Sequence, residues 1–245
     1  MATAVIIPTY NERENLSDLV AQILALSNPL EIIIVDDASP DGTGILADAL
    51  AACHGRVHVL HRAGKLGLGT AYVAGFKRAF ELGAERVMTM DADFSHHPRY
   101  IPDILRAAEE TDIVIGSRYV PGGGTRHWGW QRVMLSWGAN TFARIVLGLR
   151  AHDCTAGFRC YRRAVLESIE LDRILSNGYS FLLELLYACQ SQGWRIGEVP
   201  ILFADRQRGA SKISRQEIFK ALYTVLRLRV AHPFPTAAFT FAREK

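Results

Sequence analysis

Short, unbroken apolar runs alternate with longer stretches in which apolar residues return every three or four positions. Val5-Ile6-Ile7 is the first run. A helical stretch follows, with Leu16, Leu19, Val20, Ile23 and Leu24 on one face, Asn11 as expected N-cap and Glu14 in the capping-box position. Ile32–Val35 is β-branched throughout, the pattern of a strand covered on both faces. Val57–Leu60 predicts a third strand, and the glycine-rich stretch Gly64–Gly69 leads into a helix reaching about Leu82. Val87–Met90 and Ile113–Ile115 are the fourth and fifth strands. Such alternation predicts an α/β fold with a mostly parallel sheet between helices.

The rhythm changes after Gly122-Gly123-Gly124, which reads as a flexible loop. Helices are expected over Gln131–Leu147, Ser180–Cys189 and Arg215–Val230, and further strands over Phe158–Tyr161 and Ile196–Phe203. No repeat or low-complexity linker divides the chain. Residues 1–230 are therefore expected to form one domain, followed by a tail over 231–245.

Composition narrows the function. Among 245 residues, a net charge of +3 is too small to mark a nucleic-acid-binding surface. The four cysteines, Cys53, Cys154, Cys160 and Cys189, form no CxxC pair and suit reduced thiols. No signal peptide is expected, nor a membrane-spanning run; Val133–Leu149 is interrupted by Asn140 and Arg144.

The polar residues that end the strands carry the chemistry. In open α/β sheets, ligands bind beyond the carboxyl ends of the strands. Here those ends bear Asp36-Asp37, Asp91-Ala92-Asp93 and Arg118. Carboxylates at i and i+2 suit a hard cation such as Mg²⁺ or Mn²⁺, which leaves positions open for phosphate oxygens. The turn after the first strand, Pro8-Thr9-Tyr10-Asn11-Glu12, is neither a dinucleotide fingerprint nor a P-loop. Tyr10 is suited to stacking on a base. Glu12 is suited either to accepting from base N–H groups or to facing a helix dipole.

Several segments resemble glycosyltransferase family 2, which has the GT-A fold, and in particular its dolichol-phosphate (polyprenol-phosphate) mannose synthase branch. They are Pro8–Glu12, Asp36–Thr43, Gly64–Tyr72, Met90–Pro98, Gly116–Tyr119, Asp153–Arg159 and Gly209–Lys212. The resemblance implies GDP-mannose as donor and dolichyl or polyprenyl phosphate as acceptor. It places the nucleotide against Pro8, Tyr10, Glu12, Val35 and Asp37, and the diphosphate and metal at Asp91, Ala92 and Asp93. Ser95, where some members carry Gln, stands at a third metal position. Arg118, Arg206 and Lys212 correspond to phosphate and sugar contacts, and Arg132 to an acceptor-phosphate contact. A phosphate monoester is largely dianionic at neutral pH, so cations that join two anionic reactants matter more than a strong base.

A lipid acceptor implies peripheral attachment at the cytoplasmic side of a membrane, in some members through small membrane-anchoring subunits. Two segments have suitable patterns: the Trp128, Trp130 and Trp137 region, and a final helix with Ile218, Phe219, Leu222, Val225 and Leu226 among Arg215, Lys220, Arg227 and Arg229. The same motifs accommodate a UDP-glucose-dependent polyprenyl-phosphate glucosyltransferase. A non-catalytic nucleotide-sugar-binding protein would be expected to have lost the carboxylates or the cations.

Overall fold

The computed structural model describes residues 2–205 and 215–231. Nine strands are described: β1 (Thr3–Thr9), β2 (Leu30–Asp36), β3 (Val57–His61), β4 (Arg86–Thr89), β5 (Ile113–Ser117), β6 (Gly124–Arg126), β7 (Arg159–Arg162), β8 (Ile196–Pro200) and β9 (Leu202–Ala204). The helices are α1 (Arg13–Leu24), α2 (Thr43–Cys53), α3 (Leu68–Glu81), α4 (Ile101–Ala107), α5 (Trp130–Leu147), α6 (Arg163–Glu167), α7 (Tyr179–Ser191) and α8 (Arg215–Ala231).

Seven strands form one sheet in the order β3-β2-β1-β4-β7-β5-β8. Every pairing in it is parallel except those of β7, which runs antiparallel to both β4 and β5. The expected mostly parallel sheet flanked by helices is present. β6 and β9 form a separate parallel pair.

Side-chain alternation divides the apolar interior into two layers. Ala4 and Ile6 of β1 and Ile33 and Val35 of β2 join Tyr72 and Phe76 of α3 and Leu182 and Leu185 of α7. Val5, Ile7, Ile32 and Ile34 join Leu16, Leu19 and Val20 of α1 and Ile104 of α4 on the opposite face. The middle positions of β1 and β2, Ala4–Ile7 and Ile32–Val35, are thus apolar without interruption because both faces are covered. Gly75 lets α3 approach β1; a Cβ there would stand 2.5 Å from Ile6 Cγ2.

Some expected boundaries differ. Glu12, not Asn11, precedes α1, and no side chain caps that helix. Asn11 has a φ of 59° and instead donates its backbone N–H to Ser39 Oγ. The capping box with Glu14 is therefore not formed, because the turn is held by contacts with the β2–α2 loop. The expected strand Ile196–Phe203 is divided: β8 closes the main sheet, and after Ile201 the chain continues as β9 beside β6. Gly124 is the first residue of β6 rather than part of a loop.

Candidate active site

The ends of β1, β2, β4 and β5 carry the predicted carboxylates and Arg118, but neighbouring acids in the sequence have different surroundings. Asp36 is buried and accepts from Thr9 Oγ1 at 3.0 Å, Ser39 Oγ at 2.6 Å and the Ser39 amide at 3.1 Å. It fixes the β1 and β2 ends to each other. Asp37 receives a two-pronged bond from Arg62, whose Nε and Nη2 lie 2.7 and 2.9 Å from its two oxygens. Lys65 Nζ stands 4.3 Å from the centroid of the Tyr10 ring. Glu12 accepts from Asn15 Nδ2 at 3.0 Å, and its amide donates to Thr43 Oγ1. Val35 is buried and Pro8 half-buried at the same strand ends.

At the end of β4, Asp91 is half-buried, whereas Ala92, Asp93 and Ser95 are buried. The Ser95 amide donates to Asp93 Oδ1 at 3.1 Å. Between them Phe94 has a φ of 61°, a costly conformation for an aromatic residue and one often found where a turn must aim a side chain. His96 completes this turn. Its Nδ1 accepts the Asp91 amide proton at 3.0 Å, which leaves the ring hydrogen on Nε2 when the imidazole is neutral. The 3.5 Å approach of the same Nδ1 to Asp91 Oδ2 is therefore not an ion pair in that state. The ring stacks on Phe158 and meets the edge of Phe203.

Arg118, just beyond β5, is paired with Asp153. Its Nε and Nη2 each lie 2.7 Å from a carboxylate oxygen, and its backbone amide donates to the same group. Nη2 also reaches Thr155 Oγ1, and the guanidinium lies near the Tyr119, Trp128 and Phe203 rings. Complete burial pushes the Asp153 carboxyl upward, but the Arg118 charge and hydrogen bonds outweigh this and hold it below the usual carboxylate range. Arg132, in the first turn of α5, is less enclosed. It pairs with Asp205 at 2.9 Å and lies 4.0 Å from the Trp128 ring centroid. Arg206 and Lys212 lie outside the described residues.

Among the described residues, no three His, Cys, Asp or Glu side chains form a metal-binding group. Asp91 and Asp93 are compatible with a cation that takes one or two protein carboxylates and draws its other ligands from phosphate and water. Arg62, Asp153 and His96 are the structural partners that the residue-by-residue reading did not single out. The contact of Arg62 with Asp37 spans 25 positions and that of Asp153 with Arg118 spans 35, and no periodicity announces such pairings; His96 meets Asp91 only five positions away.

The glycosyl transferase family 2 model matches residues 4–170. The chain is 49% identical to polyprenol monophosphomannose synthase of Mycolicibacterium smegmatis, over 91% of this chain and 85% of that protein. It is 45% identical to undecaprenyl-phosphate mannosyltransferase of Micrococcus luteus, over 94% of this chain and 95% of that one. Its fold is similar to the crystal structure of glucosyl-3-phosphoglycerate synthase from Mycobacterium tuberculosis in complex with Mn²⁺, UDP and glucosyl-3-phosphoglycerate. That match has a TM-score of 0.64 and 19% identity, and covers 96% of this chain and 81% of that one. A doubly covered sheet with its acids at the strand ends thus meets a family match across most of the chain: the protein is an enzyme belonging to glycosyltransferase family 2.

Proposed function

We propose that the enzyme transfers mannose from GDP-mannose to a polyprenyl phosphate, with inversion at the anomeric carbon. The observation that carries this reading is likeness over more than nine-tenths of the chain to two proteins named as mannosyltransferases of polyprenyl phosphates. In the reaction, an acceptor phosphate oxygen forms a bond to C1 of the sugar as the bond from C1 to the diphosphate oxygen breaks. GDP departs with that electron pair. The attacking monoester is already anionic, so no side chain needs to remove a proton from it.

Pro8, Tyr10, Glu12, Val35 and Asp37 are assigned to the nucleoside, and Asp91, Ala92 and Asp93 to the diphosphate side. A divalent cation, Mg²⁺ or Mn²⁺, held by Asp91 and Asp93 with Ser95 nearby, would offset charge on the departing diphosphate. Arg118, Arg206 and Lys212 are assigned to the anionic groups of donor and acceptor. Arg132 is assigned to the acceptor phosphate, which suits its partial exposure and its ion pair at the edge of the site. Replacing Arg132 with Ala is expected to raise KM for polyprenyl phosphate about tenfold and KM for GDP-mannose less than about twofold. Steady-state kinetics with each substrate varied in turn checks this; a change confined to the donor would move Arg132 away from the acceptor.

The acceptor's chain requires access to a lipid surface. No helix among the described residues is long and apolar enough to cross a membrane. Trp130, Met134, Trp137 and Ile145 are nevertheless exposed along one stripe of α5, which contains no acidic residue. Leu222, Leu226 and Val230 are exposed along α8, which packs beside α5. The side chains of Arg215, Ile218 and Phe219 lie outside the described residues. These faces are assigned to the cytoplasmic interface of a membrane. Trp130→Glu with Trp137→Glu is expected to abolish co-sedimentation with anionic vesicles while preserving GDP binding. Undiminished sedimentation would remove α5 from the interface.

The defining experiment offers the purified protein GDP-mannose or UDP-glucose, with Mg²⁺ or Mn²⁺ and a short polyprenyl phosphate in detergent. Lipid-linked mannose from GDP-mannose alone is the expected result. Transfer from UDP-glucose alone would keep the acceptor reading and overturn the donor.

A further inference from the structure

Arg62 lies one residue beyond β3, where its amide donates to Asp36 O at 2.9 Å and extends the β2–β3 ladder to the sheet's ligand-binding edge. Its side chain is nine-tenths buried, as is that of Asp37. Nε and Nη2 hold both Asp37 oxygens, Nη1 reaches Thr70 Oγ1 at 2.8 Å, and Nη2 also reaches Gly67 O at 3.2 Å. One guanidinium thus joins the end of β2 to the start of α3. The segment between β3 and α3 contains Lys65, which lies over Tyr10. Asp37 and the segment carrying Lys65, whose ammonium covers Tyr10, are consequently held by one clamp.

The charge balance gives this clamp a role beyond packing. Asp36, Asp37, Asp91 and Asp93 all lie at strand ends where an anionic nucleotide is expected. Arg62 offsets the charge of Asp37 without using all the acceptor sites of its oxygens, since each carboxylate oxygen has two lone pairs. Asp37 can therefore accept from a nucleoside while still held by Arg62. A lysine could supply the charge but not the two-pronged geometry or the simultaneous bonds to Thr70 and Gly67.

We propose that Arg62 is a positioning residue for donor-nucleotide recognition, fixing Asp37 and the Lys65 segment as one unit. The inference rests on the assignment of Asp37 to the nucleoside. The full chain would be assayed by calorimetry with GDP and UDP in Mg²⁺, by kinetics with polyprenyl phosphate, and by thermal melting. Arg62→Lys is expected to remain folded, to weaken GDP binding about tenfold, and to narrow the GDP-to-UDP affinity ratio, while KM for polyprenyl phosphate stays within about twofold. Asp37→Asn is expected to cause a similar loss, and the double variant no more than the larger single loss, because the two side chains act together.

If Arg62→Lys is too unstable to assay, Thr70→Val removes the far end of the clamp, together with the hydroxyl's own contacts to Leu66 O and Gly67 O in the Lys65 segment. It is expected to weaken GDP about threefold by the same logic. Unchanged GDP affinity in the folded Arg62 variant, or in Thr70→Val when it must serve instead, would overturn the inference. So would equal weakening of GDP, UDP and lipid phosphate. If Asp37→Asn weakens GDP while the Arg62 variant does not, only the positioning role fails. If neither does, the nucleoside assignment of Asp37 fails as well.

Discussion

Asp93→Asn is expected to lower mannosyl transfer about a thousandfold, equivalent to about 4 kcal/mol of lost transition-state stabilisation. Asn retains a carbonyl oxygen where Asp93 accepts the Ser95 amide proton, so the turn around Phe94 can persist. What it lacks is the negative charge with which Asp93 would hold a divalent cation against the diphosphate. A buried strand-end acid placed by a left-handed residue is poorly explained by packing, since a neutral residue would fill the same volume without desolvating a charge. Initial rates with GDP-mannose and polyprenyl phosphate, beside a thermal melt, test the point. A folded variant retaining more than about a tenth of the wild-type rate would exclude Asp93 from the diphosphate site.

A loss of stability, rather than of chemistry, is expected from Arg159→Met. Arg159 is wholly buried in β7. Its guanidinium donates to Ala156 O, Leu182 O and Cys154 O, each at 2.7 Å, and to Tyr161 Oη at 3.3 Å. These carbonyls belong to the loop before β7 and to α7, so one side chain joins both to the sheet. Met approximates the chain's length but offers no donor, leaving the carbonyls buried without those bonds. The expected cost is about 3–5 kcal/mol, or roughly 10 °C in melting temperature for a chain of this size. A shift smaller than about 3 °C would show that water or rearrangement satisfies the carbonyls.

Arg159 also shows where sequence reading stops. The strands were legible because Val5–Ile7, Ile32–Val35 and Ile113–Ile115 are continuous apolar runs, a pattern imposed by helices on both faces. A lone arginine in Phe158–Tyr161 carries the opposite local signal, since charge in a short strand ordinarily faces water. Its burial is made tolerable by carbonyls of two other segments, by Tyr161 Oη and by the nearby charge of Asp153. Helix α2 was not singled out because Thr43–Cys53 is rich in alanine and has little polar contrast between its faces. The acids at the strand ends could be read, but not their division of labour. Asp36 and Asp37 are adjacent, yet one secures a turn and the other is held by Arg62. That difference depends on side chains supplied by separate segments.

The reversed strand β7 has a consequence for the order in which the molecule can be assembled. It separates β4 from β5, although it follows both in the chain. During synthesis, β4 therefore emerges with one edge whose eventual partner does not yet exist, and β5 has no partner until β7 and β8 follow. Unpaired edges of apolar strands are templates for aggregation. A nascent chain stopped before residue 159 contains both Asp91 and Arg118 but lacks the strand that fixes their spacing. The proposed site and the last vulnerable edges of the central sheet are completed by the same late part of the polypeptide.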